Sequence, residues 1–164
     1  MKNFLTLLLV LVVTTSNAQA FKGKGDTKFQ VGASFQNGGT GINSTLDFGI
    51  GENMSFGVSA TYLLKADAIL NIEPKFEDRA DINARFNANI GNVLKLDEKF
   101  DLYPGLHLGI RNFGAHLGAR YFFTDGFGVY TETSIPIAQY NTKSTGFQNY
   151  NNQFVFNIGA SFNL

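Results

Sequence analysis

Apolar residues recur at every second position along almost the whole chain, and this period constrains the fold more than any other feature. Six apolar residues of the closing stretch alternate with small or polar ones: Phe154, Phe156, Ile158, Ala160, Phe162 and Leu164. A period of two places successive side chains on opposite faces of a β-strand, whereas a helix needs a period of about 3.6. The period of two therefore predicts a sheet with one apolar face and one polar face.

Eight alternating stretches, each 9 to 12 residues long, are separated by turn signals or polar connections. The predicted strands are residues 27–36, 42–50, 54–64, 79–90, 101–110, 113–123, 127–137 and 153–164. The clearest turn is the Asp125-Gly126 pair between two alternating stretches, which is a strong hairpin signal. Because most connections have hairpin length, and closure removes the sheet edges, we predict an all-β, eight-stranded antiparallel up-and-down barrel.

Residues 1–20 have the pattern of a cleavable signal peptide, with Lys2, an apolar run over 4–13, and a small-x-small site at Ala18 and Ala20. The apolar run is too short for a transmembrane helix, which needs about 20 residues. We therefore predict an exported protein whose mature barrel domain is residues 21–164. Removal of Lys2 with the peptide changes the formal net charge from zero to −1.

Composition excludes several classes of function. The chain has no cysteine, so disulfides and thiolate metal sites are excluded. A formal net charge of zero gives no reason to expect nucleic acid as a partner. No motif indicates a cofactor, since the glycine-rich stretches lack a phosphate-binding pattern.

The alternation alone allows two opposite barrels. A soluble, lipocalin-like carrier would turn the apolar face inward around a hydrophobic ligand, whereas a membrane barrel turns that face outward to lipid. Strand length favours the membrane, because a tilted strand needs about 9 to 11 residues to cross it. Aromatic residues also gather near the strand ends, as at membrane interfaces: Phe29, Phe35, Phe48, Tyr62, Tyr121, Phe123, Phe127 and Phe162. We therefore predict a transmembrane β-barrel, with the carrier as an alternative.

The polar face carries both signs of charge but very few lysines, which is unusual for a surface in water. Its predicted lumen charge network is Asp47, Asp81, Arg85, His107, Arg111, His116, Arg120 and Glu132. Arg120 and Glu132 are expected to lie roughly opposite each other across the turn at residues 124–126. Eight strands leave room only for side chains, so we predict a filled, salt-bridged interior. A narrow channel for small solutes is the alternative.

His107 and His116 are predicted on adjacent strands, both facing inward. They lack the spacing of a metal site, and no G-x-S-x-G motif accompanies them. We therefore predict neither a metal site nor catalytic residues. Glycines on the same face are expected to make room for large side chains in a narrow lumen.

If both termini face the periplasm, the outward connections are residues 37–41, 65–78, 111–112 and 138–151. The inward turns are then residues 51–53, 91–100 and 124–126. Two outward connections are long, as is usual for membrane barrels, and any recognition is expected there.

The stretch GARYFFTDGFGVYTE, from Gly118 to Glu132, and the final strand resemble small bacterial outer-membrane β-barrel proteins of the OmpA-like and OmpX-like eight-stranded type. The resemblance implies location in the outer membrane of a Gram-negative-type cell, contact with its lipid, and insertion by the barrel assembly machinery. The final strand, with Phe162 two residues before the apolar Leu164, resembles the signal read by that machinery. Such strands usually end in Phe, so Leu164 departs from the pattern. The resemblance implies little about activity. We expect a monomer, without enzymatic activity, that acts in envelope structure or surface interaction.

Overall fold

A computed structural model describes residues 19–141 and 146–164, so the predicted signal peptide lies outside the described residues except for Gln19 and Ala20. The eight predicted strands are present and form one closed antiparallel barrel in the order β1 to β8. Their bounds are β1 Thr27–Gln36, β2 Gly39–Gly49, β3 Met54–Ala66, β4 Ala80–Ala88, β5 Phe100–Gly109, β6 Asn112–Phe122, β7 Phe127–Gln139 and β8 Val155–Asn163. The predicted fold class is confirmed.

The barrel closes because the last strand pairs with the first. Lys28 lies opposite Asn163 and Gln36 lies opposite Val155, so β8 has hydrogen-bonding neighbours on both sides. This pairing explains how the alternation can continue to the end of the chain without leaving an open sheet edge. We call the end with residues 20–26 and Asn163 the basal end, and the opposite end the distal end.

The barrel has polar residues inside and apolar residues outside. On β4, Asp81, Arg85 and Asn87 are buried in the lumen, whereas Ile82 and Phe86 are 60% and 43% exposed on the outer wall. The largest fully buried side chains include Arg120, Lys28, Gln30 and Asn87 as well as Tyr103. Within the described parts of the chain the interior is therefore a packed polar core, without the apolar lining that a lipocalin-like carrier would need.

Three strands are longer than the alternation predicted. A bulge between Thr40 and Gly41 allows β2 to begin at Gly39, which pairs with Ala66 at the end of β3. The predicted turn at residues 37–41 is reduced to Asn37 and Gly38, and the positive φ of 73° at Gly38 suits glycine. β7 likewise continues to Gln139.

The distal connections contain structure that the period of two did not predict. Ile69 and Ile72 form an isolated antiparallel bridge, and a short helix, α1, covers Phe76–Arg79. A 3-10 helix covers Phe147–Asn149 in the connection between β7 and β8. Within residues 19–141 and 146–164, no helix has the length and apolar character needed to cross a membrane.

Candidate functional site: the polar lumen

The middle of the lumen is organised around Arg85 on β4. Its Nη2 lies 2.6 Å from Oε2 of Glu132 on β7, and its Nε lies 3.2 Å from Oδ1 of Asp47 on β2. Nε and Nη2 also approach Oδ1 of Asn87, at 3.3 Å each. All three charged side chains are at most 5% exposed. One guanidinium therefore ties three strands together and shares its charge between two carboxylates.

A second charged layer lies toward the basal end around Arg120. Its Nη2 donates to Asp101 Oδ2 at 2.7 Å and to Asn89 Oδ1 at 2.6 Å. The guanidinium also lies 4.7 Å from the Tyr103 ring centre and 5.9 Å from that of Phe21. Phe21, which precedes the first strand, thus reaches the buried basal mouth.

The expected juxtaposition of Arg120 and Glu132 is not what the structure has. Arg120 is the register partner of Tyr130, and Glu132 is that of Gly118, one inward position farther from the turn. Glu132 instead crosses the lumen to Arg85. The register of β6 and β7 explains why the two are not directly opposite, because it places Tyr130 rather than Glu132 beside Arg120.

Three members of the charged interior were not in the predicted network, namely Asp26, Lys28 and Asp101. Lys28 is buried and ion-paired to Asp26, with its Nζ 2.6 Å from Oδ1, and Asp101 is the carboxylate that pairs with Arg120. Lys28 and Asp101 both occupy polar positions of their strands, so extending the same alternation to the strand ends would have found them. Asp26 precedes β1 and carries no such signal.

His107 and His116 lie side by side, as predicted, with ring centres 5.8 Å apart. His116 Nε2 is 2.7 Å from Asn87 Oδ1, and the Asn87 amide nitrogen donates to Ser55. That amide orientation makes Oδ1 the acceptor, so we assign the proton of His116 to Nε2.

The same assignment holds for His107. Its Nε2 lies 3.1 Å from Asn112 Oδ1, while the Asn112 amide nitrogen donates to the Asn151 carbonyl. Both imidazoles therefore donate through Nε2, and neither Nδ1 has a hydrogen-bond partner among the described residues. In this assignment each ring donates a hydrogen bond to an asparagine side chain.

Glycines make room for these large side chains, as predicted. The side chain that each glycine accommodates comes from the adjacent strand and not from the opposite wall of the barrel. A Cβ at Gly105 would lie 2.2 Å from His116 Nε2, and one at Gly114 would lie 2.5 Å from His107 Nε2. Each glycine is the register partner of the histidine that covers it. Glycine is required here by close approach, because any larger residue would displace the ring.

The distal end of the lumen is covered by a segment centred on Asn151. Its backbone N–H donates to Gln36 Oε1 at 2.8 Å, and its carbonyl accepts from Asn112 at 2.9 Å. Tyr150 donates its hydroxyl to the Asp67 carbonyl at 2.6 Å, and burial raises the pKa of this phenol. We call residues 150–152 the distal cover. These contacts tie it to β1, to β6 and to the connection after β3.

Arg111, which was predicted in the lumen network, belongs instead to the distal rim. Its Nη2 donates to the carbonyls of Glu77 and Ala80, and its Nε lies 3.9 Å from Asp81 Oδ1. The reason is its position in the tight β5–β6 turn, from which its side chain reaches α1 rather than the barrel interior. Arg111 therefore anchors a connection and is only a distant partner of Asp81.

Below the distal cover lies a polar cavity of about 40 Å³. Its lining includes Asp81, Arg85, His107, His116, Glu132 and Asn157. Five of the eight residues of the predicted network thus surround one space. Asp47, Arg111 and Arg120 do not line it.

Residues 11–164 match the model of a protein family described as a family of unknown function, DUF6646. The chain belongs to the DUF6646 family. A comparison with curated proteins finds no match. The family description assigns no activity, so the function of this DUF6646 chain has to be argued from its geometry.

Two predictions remain for this DUF6646 barrel, one about metal ions and one about the assembly signal at Phe162 and Leu164. Among the described residues, no group of three or more His, Asp or Glu side chains is arranged to hold a metal ion. Phe162 packs against Phe29 and Phe127, with ring centres 6.2 Å and 5.7 Å apart, and Leu164 donates its N–H to the Thr27 carbonyl. Phe162 and Leu164 thus close the basal seam, and their role as an assembly signal stays a prediction, as does the resemblance to OmpA-like and OmpX-like barrels.

Proposed function

We propose that the chain is a non-enzymatic outer-membrane β-barrel of a Gram-negative-type bacterium, exported by a cleaved signal peptide. In this proposal its outer wall contacts lipid, its lumen is filled, and its distal connections act in envelope structure or surface interaction. The observation that carries the proposal is the inverted polarity of the barrel, with charged residues inside and apolar residues outside.

The outer wall supports a lipid environment. Large apolar side chains are exposed on every strand, for example Val58, Ile82, Leu108 and Ile135 at 51% to 60%. A soluble monomer rarely exposes an apolar patch of more than a few hundred Å². Leaving each such side chain in water forgoes about 1.5–3 kcal/mol of burial free energy, so an apolar surrounding is strongly favoured.

Aromatic contacts on the outer wall support an interfacial band at each end. At the basal end, consecutive ring contacts link five residues: Tyr121, Phe123, Phe127, Phe162 and Phe29. At the distal end Phe35 packs against Phe156, and Tyr62 packs against Phe76 of α1. Aromatic girdles at the two interfaces are typical of membrane barrels.

The filled lumen favours a closed barrel over the alternative of a small-solute channel. The Arg120 layer with Phe21 lies at the basal end, the Arg85–Glu132 pair spans the middle, and Asn151 covers the distal end. In this proposal these buried groups, at successive levels of the narrow interior formed by the described residues, close it to small solutes.

The distal connections are then the outward surface. Leu70, at the tip of the Ile69–Ile72 bridge, is 90% exposed, and Asn71 beside it shares its left-handed backbone conformation. A leucine exposed at a turn tip contributes nothing to the barrel core. In the proposed orientation such residues face outward, where a surface partner would meet them.

The orientation can be tested by thiol labelling, because the chain has no native cysteine. Leu70→Cys lies in a distal connection, and Val93→Cys lies in the basal turn between β4 and β5. In intact cells, a membrane-impermeant maleimide should label Leu70→Cys but not Val93→Cys. Both should react after the outer membrane is permeabilised. Labelling of Val93→Cys alone in intact cells would overturn the orientation, and equal labelling in a soluble fraction would overturn the membrane location.

A further inference from the structure

The buried charges of the barrel do not balance within the described residues. Five carboxylates are buried with only three basic side chains: Asp26, Asp47, Asp81, Asp101 and Glu132 against Lys28, Arg85 and Arg120. Arg111 at the rim supplies a fourth cation, 3.9 Å from Asp81. Asp26 pairs with Lys28 and Asp101 pairs with Arg120. One excess negative charge therefore belongs to Asp47 and Glu132, which share Arg85.

The excess charge borders the polar cavity below the distal cover. Glu132 lines that cavity, and its register partner on β8, Asn157, lines it as well. Asp81 faces the same space from β4, on the opposite side of the eight-stranded barrel. An uncompensated buried charge is costly, so a counter-charge at this place would stabilise the barrel.

Three buried oxygen atoms of cavity-lining residues have no hydrogen-bond partner among the described residues, namely Asp81 Oδ1, Asn83 Oδ1 and Asn157 Oδ1. Their residues are only 4%, 9% and 3% exposed. All three atoms are acceptors, and the cavity walls add the hydroxyls of Ser59, Thr61 and Ser134. Carboxylate, amide and hydroxyl oxygens are the ligands that hard cations prefer.

We propose that this cavity binds one small monovalent cation, such as Na⁺ or K⁺, through Asp81, Asn157 and Glu132. A cavity needs about 10–15 Å³ to hold one water molecule, so about 40 Å³ has room for a cation with a partial water shell. A single excess carboxylate matches a single positive charge. The lack of a three-residue His, Asp and Glu cluster among the described residues argues against a divalent or transition metal. The site lies inside the barrel wherever the barrel resides, so the proposal is independent of the membrane location.

The first test compares thermal unfolding of the folded full-length mature barrel in sodium, potassium and N-methylglucamine chloride at equal ionic strength. The pH should be about 8, above the ordinary histidine pKa of about 6.5, so that the imidazoles are neutral. The bulky organic cation cannot enter the cavity. We expect the unfolding midpoint to be about 2–4 °C higher in sodium or potassium chloride. Equal midpoints in all three salts would overturn the proposal and leave ordered water or a bound proton as the occupant.

Two variants test whether the cation dependence of the unfolding midpoint arises in this cavity. Asp81→Asn removes a ligand charge and should abolish the dependence on small cations, whereas Asp125→Asn, which removes an exposed carboxylate at the basal turn, should keep it. An unchanged cation dependence in Asp81→Asn would overturn the site. If Asp81→Asn does not fold, anomalous difference maps from crystals of the unmodified protein grown in thallium(I) salts test the site, because this K⁺ analogue scatters anomalously. A peak between Asp81 and Asn157 is expected, and a well-ordered lumen without one would overturn the proposal.

Discussion

Arg85 on β4 and Glu132 on β7 meet across the lumen, with Arg85 Nη2 2.6 Å from Glu132 Oε2. The two residues are 47 positions apart in the chain, so the contact requires strands that do not pair with each other to be brought together. It forms only when the sheet curls toward closure. The polar lumen thus takes the place of an apolar core in specifying a closed barrel.

The first prediction follows from the sharing of Arg85 by two carboxylates. Arg85→Met removes the guanidinium that Asp47 and Glu132 share and should lower the free energy of unfolding by about 3–5 kcal/mol. Glu132→Gln leaves a neutral Arg85–Asp47 pair and keeps an acceptor for the guanidinium. It should therefore cost much less, about 1 kcal/mol.

Urea unfolding of both variants in lipid vesicles, followed by intrinsic tyrosine fluorescence, measures this asymmetry. Glu98→Gln, in the exposed basal turn, is the matched control and should behave as the unmodified protein. Equal losses for Arg85→Met and Glu132→Gln would mean that the carboxylates do not share the charge of Arg85.

The second prediction concerns the glycine under His116. A methyl group at Gly105 would lie 2.2 Å from His116 Nε2 and 2.4 Å from the Phe86 carbonyl oxygen. Because the backbone oxygen cannot move freely, Gly105→Ala should destabilise the barrel by about 1–3 kcal/mol. Gly126→Ala is the control, since its added Cβ meets no atom within 4 Å. A Gly105→Ala barrel as stable as Gly126→Ala would contradict the packing of His116 on that strand.

The third prediction concerns export. If residues 1–20 are a signal peptide, the mature protein begins at Phe21, whose ring lies 5.9 Å from the Arg120 guanidinium. Intact-mass measurement and N-terminal sequencing of the protein from the membrane fraction should both identify Phe21 as the first residue. Retention of Lys2 in the purified protein would refute cleavage and point to an uncleaved N-terminal segment.

Much of this architecture follows from the period of two. The bounds of β1 at Thr27–Gln36 coincide with the prediction, and each of the other strands was predicted within a few residues. The inward positions of Asp81, Arg85 and Glu132 also follow, because parity along a strand determines the face of each residue. Side-chain facing is thus a local property that a sequence can reveal.

Partners across the lumen were not predictable in the same way. Whether Glu132 meets Arg120 or Arg85 depends on the stagger of strands around the closed barrel and on which side chains reach across it. Arg111 shares the parity of a lumen residue, yet it bonds to α1, a helix without any period-two signal. The distal cover is likewise built from amide contacts of Asn151, which leave no periodic pattern in the sequence.

The fourth prediction concerns conduction. If the Arg85–Glu132 pair, the Arg120 layer and Asn151 close the lumen as proposed, the purified barrel should pass no steady ionic current in planar lipid bilayers. Insertion must be verified separately by protease protection of the barrel in vesicles. Reproducible single-channel steps from inserted protein would favour the small-solute channel instead.

The most direct test of the central claim, a lipid-embedded barrel with a polar interior, is fractionation of the native host followed by gel electrophoresis with and without boiling. We predict that the protein is found in the outer-membrane fraction. Its migration should change on heating, because a closed barrel keeps its compact shape in detergent until the interior charge pairs are disrupted. A soluble protein whose migration is the same before and after boiling would contradict the claim.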